Sequence, residues 1–256
     1  MERSGAGDPA RTLELLWRRP EVRAPGKRGP RSGLGVDAVV ATAVQLADAE
    51  GLAAASMRRV AQALGVTAMS LYTYVPGKGE LIDLMLDAVH GAMVHTDRAE
   101  QPWRERLAAV ADDNRALLEG HPWVVDVSML RPPLGPGFMA KYEHELRAFA
   151  GLGLDDVEVD AALTYLLSFV QGVVRAAMEA RRSRVDTALS DAQWWAANAP
   201  LLARVFDADR YPTAARVGAA AGAAHDGAYS PEHMYRFGLE RVLDGLGAMI
   251  SRRGAS

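Results

Sequence analysis

Arg58, Thr67, Ala68, Met69, Ser70, Tyr72, Tyr74 and Lys78 fall in one short stretch of the chain. Together they supply a forked guanidinium, small and hydroxylated groups, two phenols and an ammonium. A guanidinium can donate two parallel hydrogen bonds to the O6 and N7 of guanine, and small side chains let a helix approach base edges. Phenols and ammonium groups suit phosphate oxygens, which set position rather than sequence preference. The combination points to double-stranded DNA as the partner.

Such groups act only if short helices hold them at a surface. Val36, Val39, Val40, Ala43, Val44 and Ala47 recur at helical spacing and predict a helix over 36–50, stopped by Gly51. Ser56 reads as the N-cap of a second helix to Leu64, which buries Val60, Ala61 and Leu64. Gly65 makes the turn. Thr67 then caps a third helix over 68–75, with Leu71 and Val75 as inward anchors, and Pro76-Gly77 ends it. That leaves Thr67, Ala68, Met69, Ser70, Tyr72 and Tyr74 outside. Two short helices joined by a glycine turn have the proportions of a helix-turn-helix. Such a unit enters a major groove about 12 Å wide. A short helical pair inside any all-α protein has the same periodicity, so spacing alone leaves both readings open.

Helical periodicity persists downstream. A fourth helix opens at Lys78 and runs to Val94, joining the head to the rest. Further helices are expected over 103–118, 123–130, 138–149, 157–182 and 231–252. Residues 183–229 read as less regular and end in a mobile Ala/Gly-rich loop over 216–227. Residues 1–33 read as a basic, mostly disordered arm with one helical turn near 13–17, which reaches DNA or is simply solvated. The fold class is all-α, with a helix-turn-helix domain over 34–80 and a larger ligand-binding and dimerisation domain over 81–256. Leu239, Val242, Leu243, Leu246 and Ile250 form one apolar stripe with Gly238, Gly245 and Ala248 alongside, and 163–174 is apolar nearly all round. Packing both helices against their copies would give a homodimer through a four-helix bundle. A purely intrachain core is the alternative.

Composition narrows the classes. The 256 residues include no cysteine, which removes disulfides, thiolate nucleophiles and cysteine-ligated metals. The net charge of -3 is unevenly spread: through Glu80 there are 11 Lys and Arg against 8 Asp and Glu, and beyond it the balance is acidic. A basic head on an acidic body fits a DNA reader with a separate regulatory part. No secretory leader or membrane span is expected, so the cytoplasm is the expected compartment. No phosphate loop, dinucleotide fingerprint or GxSxG elbow is present, and no enzyme is expected. Asp112-Asp113, Asp155-Asp156 and Glu143/Glu145 read as solvated helix faces or caps.

The string Gly51 to Leu81, GLAAASMRRVAQALGVTAMSLYTYVPGKGEL, resembles the DNA-binding signature of the TetR family of bacterial repressors. His121-Pro-Trp123, the Arg131-Pro132 turn, Phe169-Val-Gln-Gly172 and the 237–245 string resemble the regulatory domain of its tetracycline-repressor branch. The resemblance implies a homodimeric repressor that presents one recognition helix to each half of a near-palindromic operator and lets go when a small effector binds. It implies base-edge contacts from Arg58 and from Thr67 to Ser70, and backbone contacts from Tyr72, Tyr74 and Lys78. The branch's metal and drug ligands are missing: Val127, Ala176 and Val94 stand at those positions, and no magnesium–tetracycline site is expected.

The effector pocket should be mostly apolar and lie among the later helices. Its candidate lining is Met93, Trp103, Trp123, Met129, Phe138, Tyr142, Tyr165 and Phe169, each of which also suits plain core packing. His90, His95, His121, His144, His225 and His233 form no HExxH or i, i+4 pair. They read as surface or capping residues, and neither metal nor cofactor is expected.

Overall fold

The computed structural model describes residues 2–18, 34–94, 98–225 and 230–254. Arg19, Arg23, Lys27, Arg28 and Arg31 of the basic arm, and His95, lie outside the described residues, as does the His225 side chain.

The head is three short helices. α2 (Val36–Glu50) packs through Val39, Val40, Ala43 and Ala47. α3 (Met57–Ala63) starts at Ser56, whose hydroxyl accepts from Arg59 N. Gly65 takes φ of 68°, a left-handed conformation that favours glycine. α4 (Ala68–Tyr72) then begins at Thr67, whose Oγ1 accepts from Ser70 N at 3.2 Å. α4 is shorter than the sequence implies. Its last turn tightens where Tyr74 N and Val75 N both reach Leu71 O, and Leu71 and Val75 are fully buried.

The first half of the supposed arm is ordered, which corrects the sequence reading. α1 spans Pro9–Leu16, capped by Asp8 with proline in its first turn. β1 (Glu2–Arg3) pairs in parallel with β2 (Val127–Ser128). Residues 2–18 form a strap whose donors find buried acceptors on α5 (Lys78–Gly91). The Ser4 hydroxyl donates to Asp83 Oδ1 at 2.5 Å, Gly5 N reaches both Asp83 oxygens at 3.1 Å, and Asp8 N donates to Glu80 at 2.9 Å. Composition marks the segment as loose, but long-range hydrogen bonds fix it. At its end Trp17 Nε1 donates to Leu134 O at 2.8 Å, and Arg18 pairs with Asp37 of α2.

The regulatory part comprises α6 (Trp103–Gly120), α7 (Pro136–Arg147), α8 (Asp156–Thr187), α9 (Asp191–Leu202), α10 (Pro212–His225) and α11 (Pro231–Gly254). A helix expected over 123–130 is instead a 3₁₀ turn, Pro122–Asp126, followed by β2, whose backbone serves the strap. The stretch 183–229, irregular by its sequence, contains α9, with a Ser190/Gln193 capping box, and α10. Alanine's helix propensity outweighs Gly218 and Gly222 in α10. In α11, Leu239, Val242, Leu243 and Leu246 are buried within the chain, where α11 packs on α8 and α6. The stripe proposed for dimer contact is therefore core, and Gly245 and Ala248 lie on the outward side.

α5 and α7 approach closely. A Cβ on Gly137 would lie 2.0 Å from Asp87 O, so only glycine fits. Gly137→Ala should force the two helices apart and cost about 1–3 kcal/mol. Thermal unfolding should register this as a fall in Tm of several degrees. An unchanged Tm would contradict the packing.

Candidate nucleic-acid interface and regulatory interior

Two buried anchors decide what α4 can present. With Leu71 and Val75 in the core, Met69 (77% exposed), Ser70, Tyr72 and Thr73 form its open face. Thr67 and Ser70 pair their hydroxyls at 2.9 Å, which fixes both at the helix start. Thr73 is exposed and donates to Ser70 O at 2.6 Å. It extends the same face but was missed, although its i+4 relation to Met69 was readable.

On α3, Arg58 is exposed while Arg59 is held by Glu50 of α2 at 2.6 and 2.9 Å. The two adjacent arginines thus have different jobs, and Arg59 braces the head. Ala68 and Tyr74 are half-buried against the core rather than fully outside. For Tyr74 this corrects the sequence reading: it packs partly against the core and keeps only part of its surface open. Lys78, at the first position of α5, pairs with Glu2 of the strap.

The regulatory interior departs further from expectation. The eight candidate pocket residues do not line one cavity. Trp123 is 1% exposed and donates from Nε1 to Asp48 of α2 at 2.8 Å, an oxygen also reached by His121 Nδ1. It joins head to body. Trp103 packs on Gly247 and Phe169 fills the space at Gly238, both half-buried against the core. Tyr165 is exposed, and Met129 is half-buried against the core. Met93 borders a space of about 300 Å³, and Tyr142 another of about 400 Å³. Phe138 and Tyr142 do come together, with ring centroids 6.1 Å apart, and His90 lies 5.7 Å from Phe138. A larger cavity, about 540 Å³, lies between head and body against Leu16, Val40, Val44, Leu84 and Val89.

Beneath these rings lies a buried polar cluster that the sequence did not reveal. Lys141 Nζ donates to both Glu145 oxygens at 2.7 and 2.8 Å, and Asn114 Nδ2 donates to the same carboxylate at 2.5 Å. Glu145 is 2% exposed, so it is no solvated face. An i, i+4 Lys–Glu pair looks like a surface pair in sequence, and only the covering helices make it internal. His90 is likewise buried rather than superficial, and its Nδ1 has no hydrogen-bond partner. Burial, then the nearby Lys141 charge, pushes its pKa down to about 3. Among the described residues no group of three or more metal-ligating side chains converges. Val127 is buried, Ala176 half-buried and Val94 exposed.

Comparisons with known proteins agree with this layout. Residues 39–85 match the family described as bacterial regulatory proteins, tetR family. Residues 96–250 match the tetracyclin repressor-like C-terminal domain. The chain is similar to the HTH-type transcriptional repressor DrrR1 of Streptomyces coeruleorubidus, at 43% identity over its whole length and 92% of that protein. It is more distantly similar to the class E tetracycline repressor protein of Escherichia coli, at 26% identity over 86% of this chain and 94% of that one. Among solved structures it resembles ActR from Streptomyces coelicolor in complex with actinorhodin, with a TM-score of 0.70, 26% identity and coverage of 84% and 96%.

Two outcomes follow from these residues. Arg58→Ala should relax sequence preference by about 1–3 kcal/mol at one base pair, whereas Lys78→Ala should weaken binding to all sequences alike. Equal losses on matched and scrambled duplexes for both variants would refute that division. The second concerns His90. Its folded pKa lies below the ordinary value of 6.5, so the unfolded chain takes up the proton first. Stability is then lost as pH falls from about 6.5 toward 3. His90→Gln should flatten the fall in Tm between those limits relative to wild type, and parallel curves would contradict it.

Proposed function

The chain belongs to the TetR family of bacterial regulatory proteins, and from that premise we propose that it binds a near-palindromic operator as a homodimer and is released by a small, mostly apolar effector. The observation that carries this reading is the Thr67-capped α4, held by buried Leu71 and Val75 with Met69, Ser70 and Tyr72 outward. Arg58 and Thr67 to Ser70 then face base edges, and Tyr72, Tyr74 and Lys78 face the backbone. The head over 34–80 is the DNA-binding unit, and residues from 81 onward hold effector and dimer surfaces.

Support for the dimer comes from surface left uncovered. Tyr165 on α8 and Gly245 and Ala248 on α11 are exposed, and α9 has no buried residue although it carries Trp194 and Trp195. A second copy on these faces gives an isologous interface. Support for an effector comes from ActR, which has been solved in complex with actinorhodin. The effector acts through differential affinity, by favouring a head spacing that no longer matches half-sites about 34–36 Å apart. The role is regulation in the cytoplasm, where DNA is found, rather than catalysis.

Fluorescence anisotropy with a duplex from the region upstream of the gene tests this directly. Affinity in the nanomolar range or tighter is expected, about three orders of magnitude or more above that for scrambled DNA, with steep weakening as salt rises. Equal affinity for both duplexes, or a monomer by light scattering at micromolar concentration, would overturn the reading.

A further inference from the structure

Glu2 is not a loose terminal residue. Its backbone pairs with Val127 in the β1–β2 register, and two residues on, Ser4 and Gly5 lock onto Asp83. Ser4 is 4% exposed, so this lock is internal. The geometry carries the Glu2 carboxylate to the start of α5, where its Oε1 meets Lys78 Nζ. The other acidic groups in the first turns of α5 are engaged by the strap's backbone. Glu80 accepts from Asp8 N and Asp83 from Gly5 N. Glu2 is therefore the carboxylate positioned on Lys78.

Helix N-termini favour anions, because unpaired N–H groups and the helix dipole place positive potential there. One ammonium that held a carboxylate and a DNA phosphate together would keep two anions close, and their repulsion opposes simultaneous binding. We propose that residues 2–5, docked along α5, hold Lys78 back from the DNA backbone, so that operator binding must exchange the Glu2 carboxylate for a phosphate. Glu2 is thereby a positioning residue for DNA affinity, acting through Lys78 from a strap anchored on the regulatory part at Val127 and Ser128. This rests on the reading in which Lys78 contacts phosphate. Both side chains are partly open, at 38% and 43% exposure, so the effect is modest.

The test is a double-mutant cycle on the full chain, using the upstream duplex at low salt. Glu2→Gln should tighten binding about two- to fivefold, and Lys78→Gln should weaken it. In the Lys78→Gln background, Glu2→Gln should change nothing further. Glu14→Gln, on the exposed side of α1, makes the same charge change without touching Lys78 and should leave affinity as it was. Equal tightening by Glu14→Gln, or by Glu2→Gln with and without Lys78, would reduce the effect to bulk charge and overturn the proposal. If Lys78→Gln weakens binding while Glu2→Gln does not tighten it, the proposal alone fails. If Lys78→Gln has no effect, the phosphate contact itself fails and the proposal with it.

Discussion

Burying α5 puts three carboxylates and an imidazole into the interior on one helix. Glu80, Asp83, Asp87 and His90 are all buried beside Leu81, Ile82, Leu84, Met85, Leu86 and Val89. A buried carboxylate without hydrogen bonds is costly, so each of these needs donors. The donors come from outside the helix: Ser4, Gly5 and Asp8 of the strap, and Phe138 N at the start of α7, 2.8 Å from Asp87 Oδ1. Burial still pushes the Asp83 and Asp87 carboxyls above their ordinary range, against the pull of these bonds. The helix that leaves the DNA-reading head is thus fastened by polar contacts to the first residues of the chain and to the regulatory part. A displacement of α7 or of β2 has a short covalent and hydrogen-bonded route to Lys78.

Polar contacts also brace the head. Its core is small, but Asp48 of α2 accepts from Trp123 and pairs with His121, and Arg59 ties α3 back to α2. A transcriptional repressor needs a well-held head, because two recognition helices must match two half-sites at once. The buried Lys141–Glu145–Asn114 cluster and the unpartnered His90 Nδ1 put polarity inside a part of the chain otherwise read as an apolar pocket. Buried ion pairs add little stability beyond what apolar residues would give, so packing alone does not account for the cluster.

Much of the head was legible because its signals are local. Ser56, Gly65 and Thr67 each act within four residues, through a cap, a left-handed turn and a cap. The buried pair Leu71 and Val75 follows from one helical turn of spacing. The strap was not legible, because Ser4 and Gly5 are ordered by Asp83, nearly eighty residues away. Glu145 was misread for a related reason: burial is set by neighbouring helices, not by its own i, i+4 partner. The α11 stripe was read as an interface, yet one apolar face can be covered from within the chain as well as by a copy. Large apolar side chains line ligand walls and cores alike, so size and hydrophobicity alone do not mark a pocket.

Hydroxyl-radical footprinting of the upstream duplex tests the central claim, that α4 reads DNA from a dimeric frame. Two protected patches on one face of the duplex, centred about one helical turn or a whole multiple apart, are the predicted result. A single patch, uniform protection, or none at concentrations that saturate binding would contradict it.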